Sequence, residues 1–363
     1  MKYVAALDGL RAVAIAQVVF FHAKILLGGF IGVDIFFVLS GFLITTLFIA
    51  EFDRTGTINI RYFLMRRALR LMPGLWLCVT VYLLIARTVD PPQFQTRDFW
   101  DGVIAVVYGT NWFWALYGAT RDLFGHTWSL AIEEQFYILW PMAAVPLLGK
   151  TKSLRTAAII VGASVLGLFV WRSLLLWSGA TMIRLHVGFD TRADELLAGC
   201  AVAFWLASDG MRPKLTHLFK KYKYIGTVAF ILLFYIAVVA RPMESSEFLF
   251  YIPLIIILTP AVLLDLVLNG GGWLARGLSW RPIVYVGSIS YGIYLWHDPV
   301  NYFMFDSKVT IGRLTRLMVS GGGGFLMAAL SYRYVEEPAL RLKRYFGSKP
   351  DPIGLTQPDR IGH

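Results

Sequence analysis

The sequence predicts an all-α membrane protein, a polytopic helical bundle of about ten transmembrane helices with one re-entrant or interfacial segment. Of the 363 residues, 57% are hydrophobic and 16% are charged, a composition unlike that of soluble globular chains. The hydrophobic residues form stretches that approach the roughly 20 residues needed to cross a bilayer. We therefore expect one membrane domain over residues 1–342. The polar, proline-rich residues 343–363 have the composition of a disordered cytoplasmic tail.

Apolar stretches separated by charged residues define the candidate spans. In chain order these are residues 10–28, 30–50, 72–89, 128–148, 156–178, 195–208, 225–240, 249–268, 282–297 and 314–334. Residues 98–119 are also apolar enough to insert, but a crossing there would invert every later loop. We expect this segment to be re-entrant or interfacial, with its tryptophans near the lipid headgroups.

The net charge of +11 follows from membrane topology and does not require a nucleic-acid partner. With the N-terminus inside, most Lys and Arg residues fall in cytoplasmic loops, as the positive-inside rule demands. Asp8 and Arg11 precede the first apolar stretch, and no small-residue cleavage site follows it, so this stretch is expected to remain as a span. Cys78 and Cys200 lie in apolar stretches without metal-ligand spacing, and we expect packing roles for them and no metal.

His22 is the first candidate catalytic residue. It follows Arg11 in the first span, with a helical rise of about 16 Å between them. We therefore expect His22 in the outer half of the membrane, in the middle of the helix. An ionisable side chain is expensive in a bilayer and indicates function. An imidazole is also the group best suited to transfer protons near neutral pH.

Other polar residues fall in the outer halves of different spans. They are Asp34, Glu133, Glu134, Arg192, Asp194, Glu195 and His297. An ion-pair network that stabilises the bundle is an equally good interpretation of Glu133, Glu134 and Arg192. His297 is either a functional histidine or an interfacial one without a chemical role. Ser40, next to Gly41, is better explained by close helix contact than as a nucleophile.

The inner side carries an arginine cluster in the segment NIRYFLMRRALRLMPGLW, which contains Arg61, Arg66, Arg67 and Arg70. On a helix, Arg67 and Arg70 share a face, and guanidinium groups suit bidentate contact with phosphate. Ordinary positive-inside charge or contact with anionic lipid explains the cluster equally well. The alternative is a site for a phosphate-rich cytoplasmic donor.

Six motifs together resemble the acyltransferase-3 family of integral membrane acyltransferases. They are LDGLRAVAIAQVVFFHA, FIGVDIFFVLSGFLI, RRALRLMPGLW, HTWSLAIEEQFYILWP, SYGIYLWH and SYRYVEEP. They occur in order over residues 4–342. The family's Arg-x10-His pattern matches Arg11 and His22, and its Arg-x-x-Arg pattern matches Arg67 and Arg70.

The resemblance implies transfer of an acyl group, most often acetyl, from cytoplasmic acyl-CoA to a hydroxyl of a carbohydrate or glycosylated acceptor. It implies a multi-pass protein of the bacterial inner membrane with both termini cytoplasmic. Some members acylate macrolides, and some carry an additional extracytoplasmic SGNH-type domain. Because the sequence ends soon after the tenth span, we expect no such domain here, so that the transfer is completed in the membrane domain or by a separate protein.

The resemblance and the topology together suggest a mechanism. The CoA phosphates would bind near Arg67 and Arg70, with Arg11 and Arg66 at the same inner face. His22 would act as general base, oriented by Glu133 or Glu134, or would itself carry the acyl group. The acceptor would be bound from the outer side by Asp34, Arg192, Asp194 and His297.

A transporter or flippase for an envelope glycolipid is the competing class, since it would also contain many spans and buried ionisable groups. The sequence has no paired hydropathy halves or matched broken helices. A transporter would also leave the inner arginine pair unexplained.

Overall fold

The computed structural model describes residues 3–119, 123–151, 153–305 and 312–346. All regular structure in these ranges is helical, which confirms the all-α prediction. Of the expected tail, residues 343–346 belong to a short 3-10 helix, Leu342–Phe346. Residues 347–363, the rest of that tail, lie outside the described ranges.

The helices follow one another with short connections. They are α1 (Ala5–His22), α2 (Gly32–Thr55), α3 (Ile60–Val89), α4 (Pro92–Val106), α5 (Thr110–Tyr117), α6 (Trp128–Lys150), α7 (Leu154–Trp177), α8 (Met182–Val187), α9 (Phe189–Ala207), α10 (Met211–Lys221), α11 (Ile225–Val239), α12 (Ile252–Leu268), α13 (Trp273–Leu278), α14 (Arg281–Ser288), α15 (Ser290–Phe305), α16 (Arg313–Arg316), α17 (Gly322–Ser331) and α18 (Glu337–Arg341). Short 3-10 helices, Gly29–Ile31 and Gly125–Thr127, lead into α2 and α6. Single π-helical turns precede α12 (Glu247–Tyr251) and flank α17 (Leu317–Gly321 and Tyr332–Glu336).

Five helical segments in the described ranges are long and apolar enough to cross a membrane. They are Ala5–His22, Gly29–Thr55, Ile60–Val89, Leu154–Trp177 and Glu247–Leu268. A sixth arises if α10 and α11, which are bent by 76° at their junction, form one broken span. The protein is thus a multi-pass membrane protein. The expected count of about ten is not confirmed, because some of the stretches are broken, such as residues 282–297, which are divided between α14 and α15.

Two boundaries differ from the expectation in ways that affect the site. His22 is the last residue of α1, so the prediction that it lies in the middle of its helix was wrong. α3 begins at Ile60, so the arginine cluster is helical and not part of a loop over residues 51–71. Pro73 lies inside α3, and the helix continues through it because it is supported by packing against neighbouring elements.

The segment over residues 98–119 is divided between α4 and α5. The backbone turns between them, and Tyr108 adopts a left-handed conformation with φ 56°. Neither helix alone reaches the length of a span. α5 packs against α6 and α8, which agrees with a re-entrant or interfacial element.

Close helix contacts set the framework of the site. α1 packs against α2, α14 and α15, while α2 packs along α9. A Cβ at Gly41 would lie 1.8 Å from the carbonyl oxygen of Leu196 on α9, so only glycine allows this approach. The expectation of a small-residue contact is therefore confirmed for Gly41. Its neighbour Ser40 faces a cavity on the other side of α2.

Candidate active site

A cavity with about 1140 Å³ of atom-free space lies between α1, α2, α3, α6 and α15. Arg11, Arg67 and Arg70 all line it, so the two arginine motifs of the sequence do meet in space. The guanidinium group of Arg67 lies over the rings of Phe63 and Tyr137, 5.5 and 5.3 Å from their centres. Such stacking fixes the orientation of a planar cation.

These three arginines have no carboxylate partner within 4.0 Å in the described part of the chain. The Nε atom of Arg11 is also buried without a hydrogen-bond partner there. All three are partly buried, and a cation that is partly removed from water without a counter-ion is costly. An anionic group bound in the cavity would relieve this cost, which makes the arginine-lined end a candidate phosphate site.

Glu133 faces the same cavity from α6. Its Oε1 accepts a 2.5 Å hydrogen bond from Ser40 Oγ, and the Tyr137 hydroxyl donates to Ser40 Oγ at 3.4 Å. Ser40 and Glu133 therefore contribute a hydrogen-bonded polar pair to the lining of the cavity.

A cluster of histidines lies at the C-terminal end of α1. His22 Nδ1 is 3.2 Å from His297 Nε2, and His22 Nε2 is 3.8 Å from Asp298 Oδ1. The other oxygen of Asp298 is 3.5 Å from His126 Nδ1. Three histidines from separate elements thus surround one carboxylate. The prediction that His22 and His297 take part in one site agrees with this geometry.

The hydrogen bonds of His297 assign its tautomer. Its Nδ1 lies 2.8 Å from the carbonyl oxygen of Tyr294 and 3.1 Å from that of Ile293. A carbonyl oxygen only accepts hydrogen bonds, so Nδ1 carries the proton. His297 Nε2 therefore presents a lone pair toward His22.

The tautomer of His22 follows from that of His297. His22 Nδ1 lies 3.0 Å from the carbonyl oxygen of Val18 and 3.2 Å from His297 Nε2. Both partners are acceptors, so Nδ1 of His22 is the donor. In the neutral ring, Nε2 then holds the lone pair and faces Asp298. This nitrogen can take a proton or attack a carbonyl carbon, and the resulting cation would lie beside a carboxylate.

His126 closes the cluster from the turn before α6. Its side chain is 1% exposed, and burial lowers its pKa to about 4 despite the opposing effect of Asp298. The ring is therefore neutral near pH 7 and leaves the charge of Asp298 available to His22.

The structure corrects two of the expected roles. The carboxylate beside His22 is Asp298, whereas Glu133 bonds to Ser40 deeper along α6, so neither Glu133 nor Glu134 is the partner that orients the imidazole. The physical reason is depth, since Glu133 lies about 6 Å along α6 from Ser129 at the outer end of the cavity. Arg66 also points away from the cavity and donates to the carbonyl oxygen of Phe346.

The remaining predicted acceptor-binding residues are buried in an ion-pair network. Asp34 and Asp194 are completely buried and Arg192 is 1% exposed. Arg192 pairs with Asp34 and Asp194 with Arg172. Arg192 therefore belongs to an ion-pair network, as one of the two interpretations of the sequence proposed. Its partners are not Glu133 and Glu134.

Sequence reasoning missed four residues of this region: Ser129, His126, Tyr294 and Asp298. All four lie inside or next to the motifs HTWSLAIEEQFYILWP and SYGIYLWH. Asp298 directly follows His297. Polar residues are frequent at the ends of these two motifs, and this frequency could have identified all four. Of these polar residues, only His297 and the two glutamates were predicted from the sequence.

The histidine cluster also has the composition of a metal site. Ligand atoms of His22, His297 and Asp298 lie within 4.8 Å of one another, and histidine with carboxylate is a common donor set. The expectation of no metal stays a prediction.

Comparison with known proteins identifies the same region of the chain as a family domain. A family model described as an acyltransferase domain matches residues 4–333. No solved structure matches the chain significantly.

Several curated proteins are similar along nearly the whole chain. The peptidoglycan O-acetyltransferase OatA of Listeria monocytogenes is 31% identical, over 97% of this chain and 60% of its own length. The putative peptidoglycan O-acetyltransferase YrhL of Bacillus subtilis is 34% identical, over 93% of this chain and 55% of its own length. The O-acetyltransferase OatA of Staphylococcus aureus is 31% identical, over 93% of this chain and 57% of its own length. The chain thus spans little more than half the length of these relatives.

Proposed function

The chain belongs to the acyltransferase-3 family, and on this premise we propose that it transfers an acetyl group from cytoplasmic acetyl-CoA to a hydroxyl of a cell-wall glycan. One observation carries the proposal: a cavity lined by Arg11, Arg67 and Arg70 also reaches Tyr294, whose ring centre is 5.7 Å from that of His297 in the histidine cluster around His22. The arginine-lined end suits the phosphates of CoA, and the histidine cluster suits acyl transfer. An ion or glycolipid transporter would not need this pairing.

The dimensions support a donor that enters from the cytoplasmic side. Arg11 and His22 are separated by about 16 Å along α1, a distance that an extended pantetheine arm can span. The phosphates then stay at the guanidinium groups, and the thioester reaches the outer half of the membrane. The orientation with cytoplasmic termini is part of the proposal and follows the positive-inside rule.

His22 acts as the general base in this proposal. The acceptor hydroxyl donates its hydrogen to Nε2 while its oxygen attacks the thioester carbon, and the imidazolium is stabilised by Asp298 at 3.8 Å. When the tetrahedral intermediate collapses, the CoA thiolate leaves and takes the proton back from His22. All atoms and charges balance, and no further reactant is needed.

The proposed acceptor is a glycan hydroxyl of peptidoglycan or its membrane-bound precursor. This choice rests on the two relatives named peptidoglycan O-acetyltransferases. It also fits the position of His22 at the outer end of α1. Acylation of a macrolide-type acceptor stays the alternative within the same chemistry. We place the protein in the bacterial cytoplasmic membrane.

The test is acetyl transfer by the purified full chain in nanodiscs, with [14C]acetyl-CoA as donor and a β-1,4-linked N-acetylglucosamine oligomer or muropeptide as acceptor. His22→Ala should lower kcat by at least about 100-fold, since acid–base catalysis contributes 10²–10⁴. Full activity in a correctly folded His22→Ala protein would contradict the mechanism.

The donor site is tested with the double variant Arg67→Ala, Arg70→Ala. It should weaken acetyl-CoA binding at least about 10-fold through the loss of two charge-assisted contacts. Arg66→Ala is the matched control, because Arg66 lies on the same helix but points away from the cavity, and it should bind acetyl-CoA like the parent. Equal binding by the double variant would remove the donor-site assignment.

A second measurement separates the two roles that His22 can have. If His22 is only a base, acid-quenched enzyme incubated with [14C]acetyl-CoA alone carries no label. Stoichiometric acetylation mapped to His22 by mass spectrometry would replace the general-base step with a covalent relay.

A further inference from the structure

The donor cavity and the histidine cluster meet at one side chain. Tyr294 lines the outer end of the cavity, and its ring centre is 5.7 Å from the ring centres of both His126 and His297. Ser129 lines the cavity next to it. Tyr294 is thus a cavity-lining residue that lies next to two histidines of the cluster.

The hydroxyl of Tyr294 is held in a defined orientation. It lies 2.6 Å from the carbonyl oxygen of His126 and 2.7 Å from Ser129 Oγ. The carbonyl can only accept, so the phenol donates to His126, and Ser129 donates to the phenol oxygen. Both side chains are almost fully buried, at 6% and 4% exposure. The Tyr294 hydroxyl is thus a buried hydrogen-bond donor between the cavity and the histidine cluster. Its oxygen is held in place by the hydroxyl of Ser129.

We propose that Tyr294 is a catalytic residue whose hydroxyl donates a hydrogen bond to the thioester carbonyl oxygen of the donor, with Ser129 as its positioning residue. This inference rests on the proposed function and adds the group that stabilises the negative charge of the transition state. Buried, pre-oriented donors of this kind are among the largest contributors to acyl-transfer catalysis.

The step follows directly from the proposed reaction. As the acceptor oxygen bonds to the thioester carbon and its proton moves to His22 Nε2, the carbonyl electron pair moves onto the carbonyl oxygen. The Tyr294 hydroxyl turns from the backbone carbonyl of His126 to this oxygen. When the intermediate collapses, the C=O double bond forms again, the carbon–sulfur bond breaks, and the thiolate receives the proton from His22. Tyr294 keeps its proton throughout.

The decisive variant is Tyr294→Phe in the full chain, measured with [14C]acetyl-CoA and the N-acetylglucosamine oligomer. It keeps the ring but removes the donor, so kcat should fall about 100-fold, as for other lost oxyanion donors. The KM for acetyl-CoA should stay within about twofold, because the interaction is made only in the transition state. Ser129→Ala should lower kcat by a smaller factor of about 3 to 10, since the phenol remains but is less well held.

Tyr82→Phe is the matched control. The Tyr82 hydroxyl also donates to a backbone carbonyl of α15, that of Trp296 at 3.3 Å, but it does not line the cavity. Its kcat should equal that of the parent. This comparison separates the loss of a catalytic donor from the loss of a structural hydrogen bond between a buried tyrosine and a backbone carbonyl.

Two results would overturn the inference. One is a kcat for Tyr294→Phe within threefold of the parent. The other is an increase in acceptor-independent hydrolysis of acetyl-CoA without loss of transfer, which would make Tyr294 a barrier. If Tyr294→Phe does not fold, an unchanged kcat in Ser129→Ala decides against the proposal. Failure of the proposed function is distinguished by His22→Ala, which would then retain transfer whatever Tyr294→Phe does.

Discussion

At the scale of single residues, Asp298 decides what His22 can do. The lone pair on Nε2 of neutral His22 faces a carboxylate at 3.8 Å. An imidazolium that forms on His22 during proton transfer would lie next to the negative charge of Asp298, and opposite charges at this distance attract. Asp298 therefore has the role that the sequence assigned to a glutamate of α6.

Asp298→Asn removes this charge while keeping the size of the side chain. We expect kcat for acetyl transfer to fall about 10-fold, a part of the 10²–10⁴ that acid–base catalysis contributes. Asp298→Glu, which restores the carboxylate, should recover part of the rate. Steady-state kinetics on both variants provide the measurement, and an Asp298→Asn enzyme as fast as the parent would show that the carboxylate does not assist His22.

At the scale of helices, the packing of α17 on α15 positions His297. A Cβ at Gly324 would lie 2.8 Å from the Cα of His297, so glycine is the residue that allows α17 to approach at this point. Gly324 belongs to a stretch of four glycines, residues 321–324, and a packing role is the better interpretation of such a stretch in a membrane helix. The contacts support that role for Gly324, while Gly322 has no atom within 4 Å of a Cβ placed on it.

Gly324→Ala should therefore shift α15 and disturb the His297–His22 contact. Overpacking of this kind costs about 1–3 kcal/mol, so we expect a lower melting temperature and reduced acetyl transfer. Gly322→Ala is the control on the same helix and should be neutral or slightly stabilising, because alanine has the higher helix propensity. Thermal unfolding in detergent and the transfer assay test both variants. Equal behaviour of the two would rule out the packing role.

At the scale of the whole molecule, a buried ion-pair network joins several helices of the bundle. Arg192 on α9 pairs with Asp34 on α2, with Glu195 at 3.0 Å and with Glu247 before α12 at 3.3 Å. The network continues to α8, where His186 lies 2.6 Å from Glu247. Arg172 on α7 is also buried and pairs with Asp194 at 2.6 Å. These bonds satisfy charges that the membrane cannot solvate.

Arg192→Leu should destabilise the whole bundle, since it leaves three buried carboxylates without their shared cation. The loss of a partner in a buried ion pair costs about 3–5 kcal/mol. We expect poor accumulation in the membrane and a lower melting temperature, with the KM for the acceptor unchanged in the protein that folds. Arg333→Leu, in an exposed pair with Glu337, should melt like the parent. A stable Arg192→Leu protein with a raised acceptor KM would instead support the predicted acceptor-binding role.

The sequence by itself determined the fold class, the membrane environment and the family. Hydrophobic stretches and motifs are local properties of the chain. They can be recognised even when the exact ends of the helices are not known. It also identified His22 and the inner arginines, because ionisable groups near or inside apolar segments are costly and conspicuous. The count of spans was less secure, since breaks such as the one at Ile289 between α14 and α15 leave little trace in hydropathy.

Only the tertiary structure decided which polar groups meet. The sequence predicted Glu133, Arg192 and His297 in the same outer half of the membrane. In the structure Glu133 lines the cavity, Arg192 belongs to the ion-pair network and His297 to the histidine cluster. They are separated because each lies at a different position along its helix and on a different face of it. The partner of His22 comes from α15, nearly the whole chain away, and the tautomer of His22 depends on carbonyl groups that α1 and α15 supply. Such pairings arise from packing between helices, whose relative heights and angles no local sequence pattern specifies.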